Sequence, residues 1–401
     1  MSLDLSKTAA QLYDAAPSLT AQRTARLEAL ARAATHIASA DPADIERRRQ
    51  SAKTTFLVAG VMTSLNGALL PSPLPPDHIV VAVDGSHIDV DRHSPARCYL
   101  INTGFVSLRY GELPDADMRN QPLLITSDDA LAMPAPDATR EVPIEGALLG
   151  MVRAVTEIEA LADLVEAAPA HLPVLAMLDG SLILWGLTGG AFPDFVREAL
   201  LTNRLLPALE RLRSLGERRT LAVVSHVSLP RSTDVINALR ISTSVCGFGQ
   251  VNCDANCAAL PRGTRNCDVV GGVTDAELFA ATLRPGERTP AYATTSSIVT
   301  DFYGAHQVRF CYVHLGEEVA RLELPEWCDD DATLAFAHAA LASQSAKGHG
   351  YPLALQEAHE QAVVSGQDRQ YFAQLVEEML VAERLPTGAS QKSRSKRTRF
   401  V

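Results

Sequence analysis

The chain has no uncharged apolar run of the roughly 18 residues that a membrane-spanning helix needs. Its N-terminal stretch MSLDLSKTAAQLYDAAPS lacks the basic region and apolar region of an export leader. A soluble, cytoplasmic protein that enters no membrane is therefore expected. Walker-type phosphate loops and Gly-rich dinucleotide fingerprints are missing too, so the chain is not expected to hydrolyse ATP itself. Positive charge is in deficit: 36 Lys+Arg face 47 Asp+Glu, a formal net charge of -11. That argues against a global attraction for polyanions. It does not argue against a local basic groove, because phosphate contacts are local. The seven cysteines are odd in number and scattered, which does not suit a secreted disulfide framework; reduced thiols or a metal site are the alternatives.

What is present is a chain of 401 residues, 47% hydrophobic and 21% charged, enough for one large domain or two modest ones. This composition excludes disordered, collagen-like and coiled-coil chains. Leu27, Leu30, Ala31, Ala34 and Ile37 recur at helical spacing, and a second stretch from Pro42 to near Leu70 reads as further helix. Pro71, Pro73, Pro75 and Pro76 then break the pattern. These features divide the chain into an N-terminal helical region (1–75), a core domain (76–385) and a basic tail (386–401).

Within the core, HIVVAVDGS and CYLINTGFVSLRYG read as strands, and Glu145 to Ala168 as a long helix. LPVLAMLDGSLI is a second apolar strand ending in the same Asp-Gly-Ser, and after a helix around Phe195 to Ser214 comes TLAVVSHVS, a third. Strands alternating with helices predict an α/β domain with a mostly parallel or mixed sheet.

The two Asp-Gly-Ser sites, at Asp84 and Asp179, carry the first chemical signal. One such tripeptide is ordinarily a turn. Two of them after two apolar strands place two carboxylates at the sheet edge where α/β folds hold ligands. Converging carboxylates repel unless a cation lies between them, and oxygen ligands suit Mg²⁺ or Mn²⁺. Glu157, on the helix before the second strand, flanks an apolar face from which it could reach the same ion, with Glu159 as the alternative. Farther on, GYPLALQEAHEQAVV carries Tyr351 and, eight residues later, His359 on a helix. These side chains suit a phosphate contact, a metal ligand or a proton shuttle, although a lone histidine beside Leu355 and Val363 is more often a packed core residue.

Taken together, VAVDGS around Asp84, the Glu157 helix leading to LDGSL around Asp179, and GYPLALQEAH resemble the NurA nuclease family, in its bacterial branch. The resemblance runs from about Asp84 to about Val364. It implies an RNase H-like mixed sheet flanked by helices, and a homodimer. It also implies that Asp84, Glu157, Asp179 and His359 gather a divalent metal, typically Mn²⁺, with Tyr351 beside the scissile phosphate. The implied activity is 5′ to 3′ exonuclease and single-strand endonuclease cutting of DNA ends in double-strand break repair, with a HerA-type hexameric ATPase as partner. Phosphodiester hydrolysis is chemistry that clustered carboxylates serve by holding metal ions. Two other classes remain: a catalytically inactive DNA-binding or HerA-docking adaptor, and a phosphatase acting on a small substrate.

Cys246, Cys253, Cys257 and Cys267 fall within 22 residues of a Gly/Asn/Arg-rich stretch, an insertion at about 246–267. Four thiolates there would hold Zn²⁺ or an iron-sulfur cluster, or be ordinary thiols. In LPRSTDVINALR, Arg231 stands where a helix should begin, a natural phosphate seat and a candidate DNA contact. Lys392, Arg394, Lys396 and Arg397 belong to the tail KSRSKRTR, expected to be disordered alone and suited to tracking DNA.

Overall fold

The computed structural model describes residues 4–91 and 96–385. The tail residues Lys392, Arg394, Lys396 and Arg397 lie outside the described residues. Chain contacts group the protein into two compact units. One is built from the chain up to Pro71, Val227–Ser296 and Val308–Leu322; the other comprises Ser72–His226, Ser297–Gln307 and the chain from Glu323 onward.

The second unit is a mixed sheet flanked by helices. Its strands are β1 (His78–Ile88), β2 (Tyr99–Tyr110), β3 (Asp115–Ile125), β4 (Val174–Asp179) and β5 (Leu221–Val227). They lie in the order β3-β2-β1-β4-β5. Strands β1, β2 and β3 pair antiparallel, whereas β4 runs parallel to both β1 and β5. This is the RNase H-like arrangement that the resemblance implies. Strands β1 and β4 are apolar on both faces, with Val80 to Val83 and Val174 to Met177 fully buried, as strands covered on both sides must be. Strand β3, by contrast, is exposed along nearly its whole length, so its sequence DADMRNQPLLI has no apolar alternation to reveal it.

Three helices bear on the site. Helix α1 (Ala147–Ala167) packs a broad apolar face including Leu148, Val155 and Leu161 into the core. Helix α2 (Asp331–Lys347) is capped by Asp330, and helix α3 (Leu353–Ala362) follows after a turn containing Gly350 at φ 109°. Helix α3 lies on β1 and β2. A Cβ at Gly104 of β2 would stand 2.3 Å from the Ala358 carbonyl oxygen, so only glycine allows that approach.

In the first unit the helix Leu5–Ala38 begins well before the apolar repeat, capped by Asp4, and buries Ala29, Ala33 and Ile37. The expected second helical stretch ends early, at Ser51. Beyond it the chain is extended, with Gly60 and Val61 pairing with Ala293 and Tyr292. Phe279, Tyr292, Phe310 and Tyr312 form a continuous aromatic cluster in this unit's core. Among the described residues, no helix is long and apolar enough to cross a membrane.

Candidate active site

Asp84 lies within β1, and Asp179 closes the parallel neighbour β4. Each is followed by glycine, for different reasons. A Cβ on Gly85 would stand 2.5 Å from Glu157 Oε1, so this glycine makes room for the glutamate. Gly180 sits at φ 92°, where it turns the chain out of β4.

Glu157 projects from α1 into that space and is buried. Its Oε1 accepts no hydrogen bond, although the Arg153 guanidinium, one turn earlier, lies 3.4 Å away. Leaving such an oxygen unsatisfied costs about 1–3 kcal/mol. Burial, opposed by Arg153 and reinforced by Asp84 and Asp179, pushes the Glu157 carboxyl up to about 8. Glu159, two residues on, turns away and is held by Arg204 at 2.9 Å. The geometry therefore separates the two glutamates that the sequence left open.

Asp84 is fully engaged by its surroundings. Its Oδ1 accepts the Gly85 amide at 2.7 Å, and its Oδ2 lies 2.8 Å from His359 Nδ1. His359 itself is mostly exposed, so it is a surface histidine on a carboxylate and not a core one. The end of α3 that carries it is pinned to the sheet: Asn102 Nδ2 and Ser86 Oγ both donate to the Ala362 carbonyl. Asp179 is raised by burial and by the nearby Asp84, and its carboxylate accepts from the Tyr351 hydroxyl. Asp84, Glu157, Asp179, Tyr351 and His359 thus come together from four elements and a turn.

This donor set suits a divalent cation. Three carboxylates supply hard oxygen ligands beside the His359 imidazole, with one buried oxygen unpaired and two carboxyl groups pushed toward neutrality by burial and mutual repulsion. As the side chains stand, no group of three or more His, Cys, Asp or Glu among the described residues is drawn up to hold an ion. Their present partners are Gly85, His359, Arg153 and Tyr351. Arg153 was not singled out from the sequence; its position four residues before Glu157 on one helix face was the available signal.

A sequence model of the NurA domain matches residues 78–364. The chain belongs to the NurA family. Among solved structures, a crystal structure of NurA bound to dAMP and manganese is similar over 78% of this chain and 89% of that one, at 15% identity and a TM-score of 0.37. LC9-RNase H1, a type 1 RNase H with the type 2 active-site motif, is similar over 44% of this chain and 75% of its own, at 10% identity and a TM-score of 0.21. No curated protein matches the sequence. NurA membership together with the acidic cluster supports a nuclease.

Two other expectations meet a different structure. Cys246, Cys253, Cys257 and Cys267 line one small cavity with Phe56 and Arg240, and all four are free thiols. Burial, then the neighbouring cysteines, raise the Cys253 and Cys257 thiols, which keeps them protonated. With no metal-holding group among the described residues, zinc or an iron-sulfur cluster here is unsupported. Polar side chains order this stretch instead: Asp268 accepts the Gly263 and Arg265 amides, and Asn266 donates to the Cys246 carbonyl.

Arg231 is exposed in the segment before the helix Asp234–Ile241. The amides at that helix start do not await a phosphate, because the Asp275 carboxylate accepts from Val235 and Ile236. Ser232 bonds the Tyr312 hydroxyl at 2.8 Å and does not cap the helix.

Proposed function

We propose that this protein is a divalent-metal-dependent DNA nuclease whose centre is Asp84, Glu157 and Asp179, with His359 completing the set and Tyr351 beside the scissile phosphate. The observation that carries this reading is Glu157: a buried carboxyl with an unpaired oxygen, seated in a space that Gly85 leaves open and electrostatically coupled to Asp84 and Asp179. A group so placed costs stability and is accounted for by a cation that the two aspartates share with it.

When bound, Mn²⁺ or Mg²⁺ supplies Lewis-acid polarisation of the phosphoryl oxygens and neutralises the charge that develops there. The protein's own residues do the remaining work. Asp84 presents its oxygens from within β1 and Asp179 from the end of the adjacent β4, so their spacing is set by the sheet and not by a loop. His359, exposed on one side and hydrogen-bonded to Asp84 on the other, would complete the set from its solvent side. The Tyr351 hydroxyl, now donating to Asp179, is the neutral donor available to a phosphate oxygen.

In this reading the activity is 5′ to 3′ exonuclease and single-strand endonuclease cutting during double-strand break repair. A HerA-type hexameric ATPase would feed the strand to a homodimer, since the chain has no phosphate loop of its own. Arg231 would contact the DNA backbone through its guanidinium alone, and Lys392, Arg394, Lys396 and Arg397 would add contacts from the tail. The test is digestion of end-labelled linear and single-stranded DNA with Mn²⁺, Mg²⁺ or EDTA, with and without a HerA-type ATPase. Cutting that needs the metal supports the proposal. Metal-independent cutting would refute it.

A further inference from the structure

Beside the acidic cluster stands a buried polar side chain to which nothing above gives a task. His226, in β5, pairs in parallel register with Asp179 in β4. Residues so paired project from the same face of a sheet, so the imidazole rises next to the aspartate. His226 is fully buried, and neither ring nitrogen has a hydrogen-bond partner among the described residues. Buried polar groups are rarely left so, and an apolar side chain would fill the space without that cost.

The ring does have a neighbour. The Tyr351 ring stands edge-on to it, with centroids 5.1 Å apart and planes at 89°. Tyr351 comes from the turn between α2 and α3, in which His349 and Gly350 both take positive φ. A side chain on such a turn has no helix or strand to orient it. Its hydroxyl is held on Asp179 and its ring on His226. The two holding residues are register partners, so the spacing of adjacent strands fixes both at once.

We propose that His226 is the positioning residue for Tyr351, fixing the ring so that its hydroxyl addresses Asp179 and the phosphate beside it. The edge-to-face geometry is the preferred arrangement of two aromatic rings and selects one ring orientation. Burial lowers the imidazole to about 4, so at neutral pH it adds no positive charge beside the carboxylates. This inference rests on the nuclease reading for its kinetic consequence, but the placement of Tyr351 can be measured independently.

The experiment uses the full chain with ¹³C-labelled tyrosine, in the wild type and in the His226→Ala, His226→Phe, Tyr351→Phe and His226→Ala/Tyr351→Phe variants. In NMR spectra the Tyr351 ring resonances, assigned by their loss in Tyr351→Phe, should move in His226→Ala and return near the wild-type position in His226→Phe. In Mn²⁺-dependent DNA cleavage, His226→Ala should lower kcat on the order of tenfold or more, as a displaced positioning contact does. His226→Phe should restore most of that loss. Adding His226→Ala to Tyr351→Phe should cost nothing further, because both act through one hydroxyl. Unmoved Tyr351 resonances in His226→Ala would overturn the inference. So would losses from His226→Ala and Tyr351→Phe that simply multiply. If the wild type does not cut DNA, the nuclease reading fails while the spectra still decide the placement.

Discussion

At the scale of single residues, Glu157 shows how a site differs from a structural ion pair. Glu159 has a bidentate arginine and an ordinary surface setting, with Arg204 on both oxygens. Glu157 has burial, two aspartates nearby and one imperfectly placed arginine. The consequence is a measurable pH dependence. The unfolded chain releases this proton near 4.5, the folded chain only near 8, so between those values the folded state binds the extra proton. Stability of the metal-free protein therefore falls as pH rises from about 4.5 to about 8 and levels off above. In Glu157→Gln that part of the decline should vanish, as read from denaturant midpoints taken across the range. An unchanged pH profile in the variant would show that the carboxyl titrates normally. The choice of Glu157 over Glu159 was not legible in the sequence, because two glutamates two apart on a helix differ only in which neighbours the fold brings to them.

Elements carry the next constraint, since α3 delivers His359 only if it lies close on the sheet. Gly104 is the point of contact, and the obstructing atoms are backbone: the Ala358 carbonyl and the Ala362 amide. Gly104→Ala should force α3 outward and cost about 1–3 kcal/mol, the usual range for overpacking. Its cleavage activity should fall further than that of an equally destabilised variant elsewhere, because His359 moves with the helix. Equal activity at equal stability would show that α3 has not shifted.

The helix Asp234–Ile241 makes a parallel point. Its start is closed by Asp275, fully buried and pushed up to about 7, chiefly by burial and then by Asp234. The folded state keeps this proton over a range where the unfolded chain, near 3.8, has lost it, so stability drops between about 4 and 7. Asp275→Asn should flatten that segment of the stability curve; a wild-type slope in the variant would contradict the assignment. The sequence pattern predicts this helix and places Arg231 at its start. It does not reveal that a carboxylate some forty residues later takes the free amides, because such capping is a tertiary contact with no local signature.

On the scale of the whole molecule, what was legible followed burial. Strands β1, β4 and β5 are continuous apolar runs and were readable as such; β3, exposed on both faces, was not. The aspartates of the site were visible because they end such runs, and Tyr351 and His359 because they share a short motif. Arg153 and His226 were not visible, since their importance comes from register and helix phase. For the cysteine cluster the sequence leaves a metal and ordinary thiols open; among the described residues the segment is ordered by asparagine and aspartate side chains, and a metal there is unsupported.

The central claim is that the aspartates of the adjacent strands β1 and β4 form a metal-dependent cutting centre, and it is tested most directly by comparing the wild type with Asp84→Asn and Asp179→Asn. Each protein is given end-labelled single-stranded and linear duplex DNA with Mn²⁺ or with EDTA, and its thermal unfolding is followed with and without Mn²⁺. The account predicts wild-type cleavage that EDTA abolishes and a rise in Tm with Mn²⁺, both lost in the two variants while their far-UV circular dichroism stays that of a folded chain. Cleavage by Asp84→Asn at the wild-type rate, with an undiminished Mn²⁺ effect on its Tm, would contradict it.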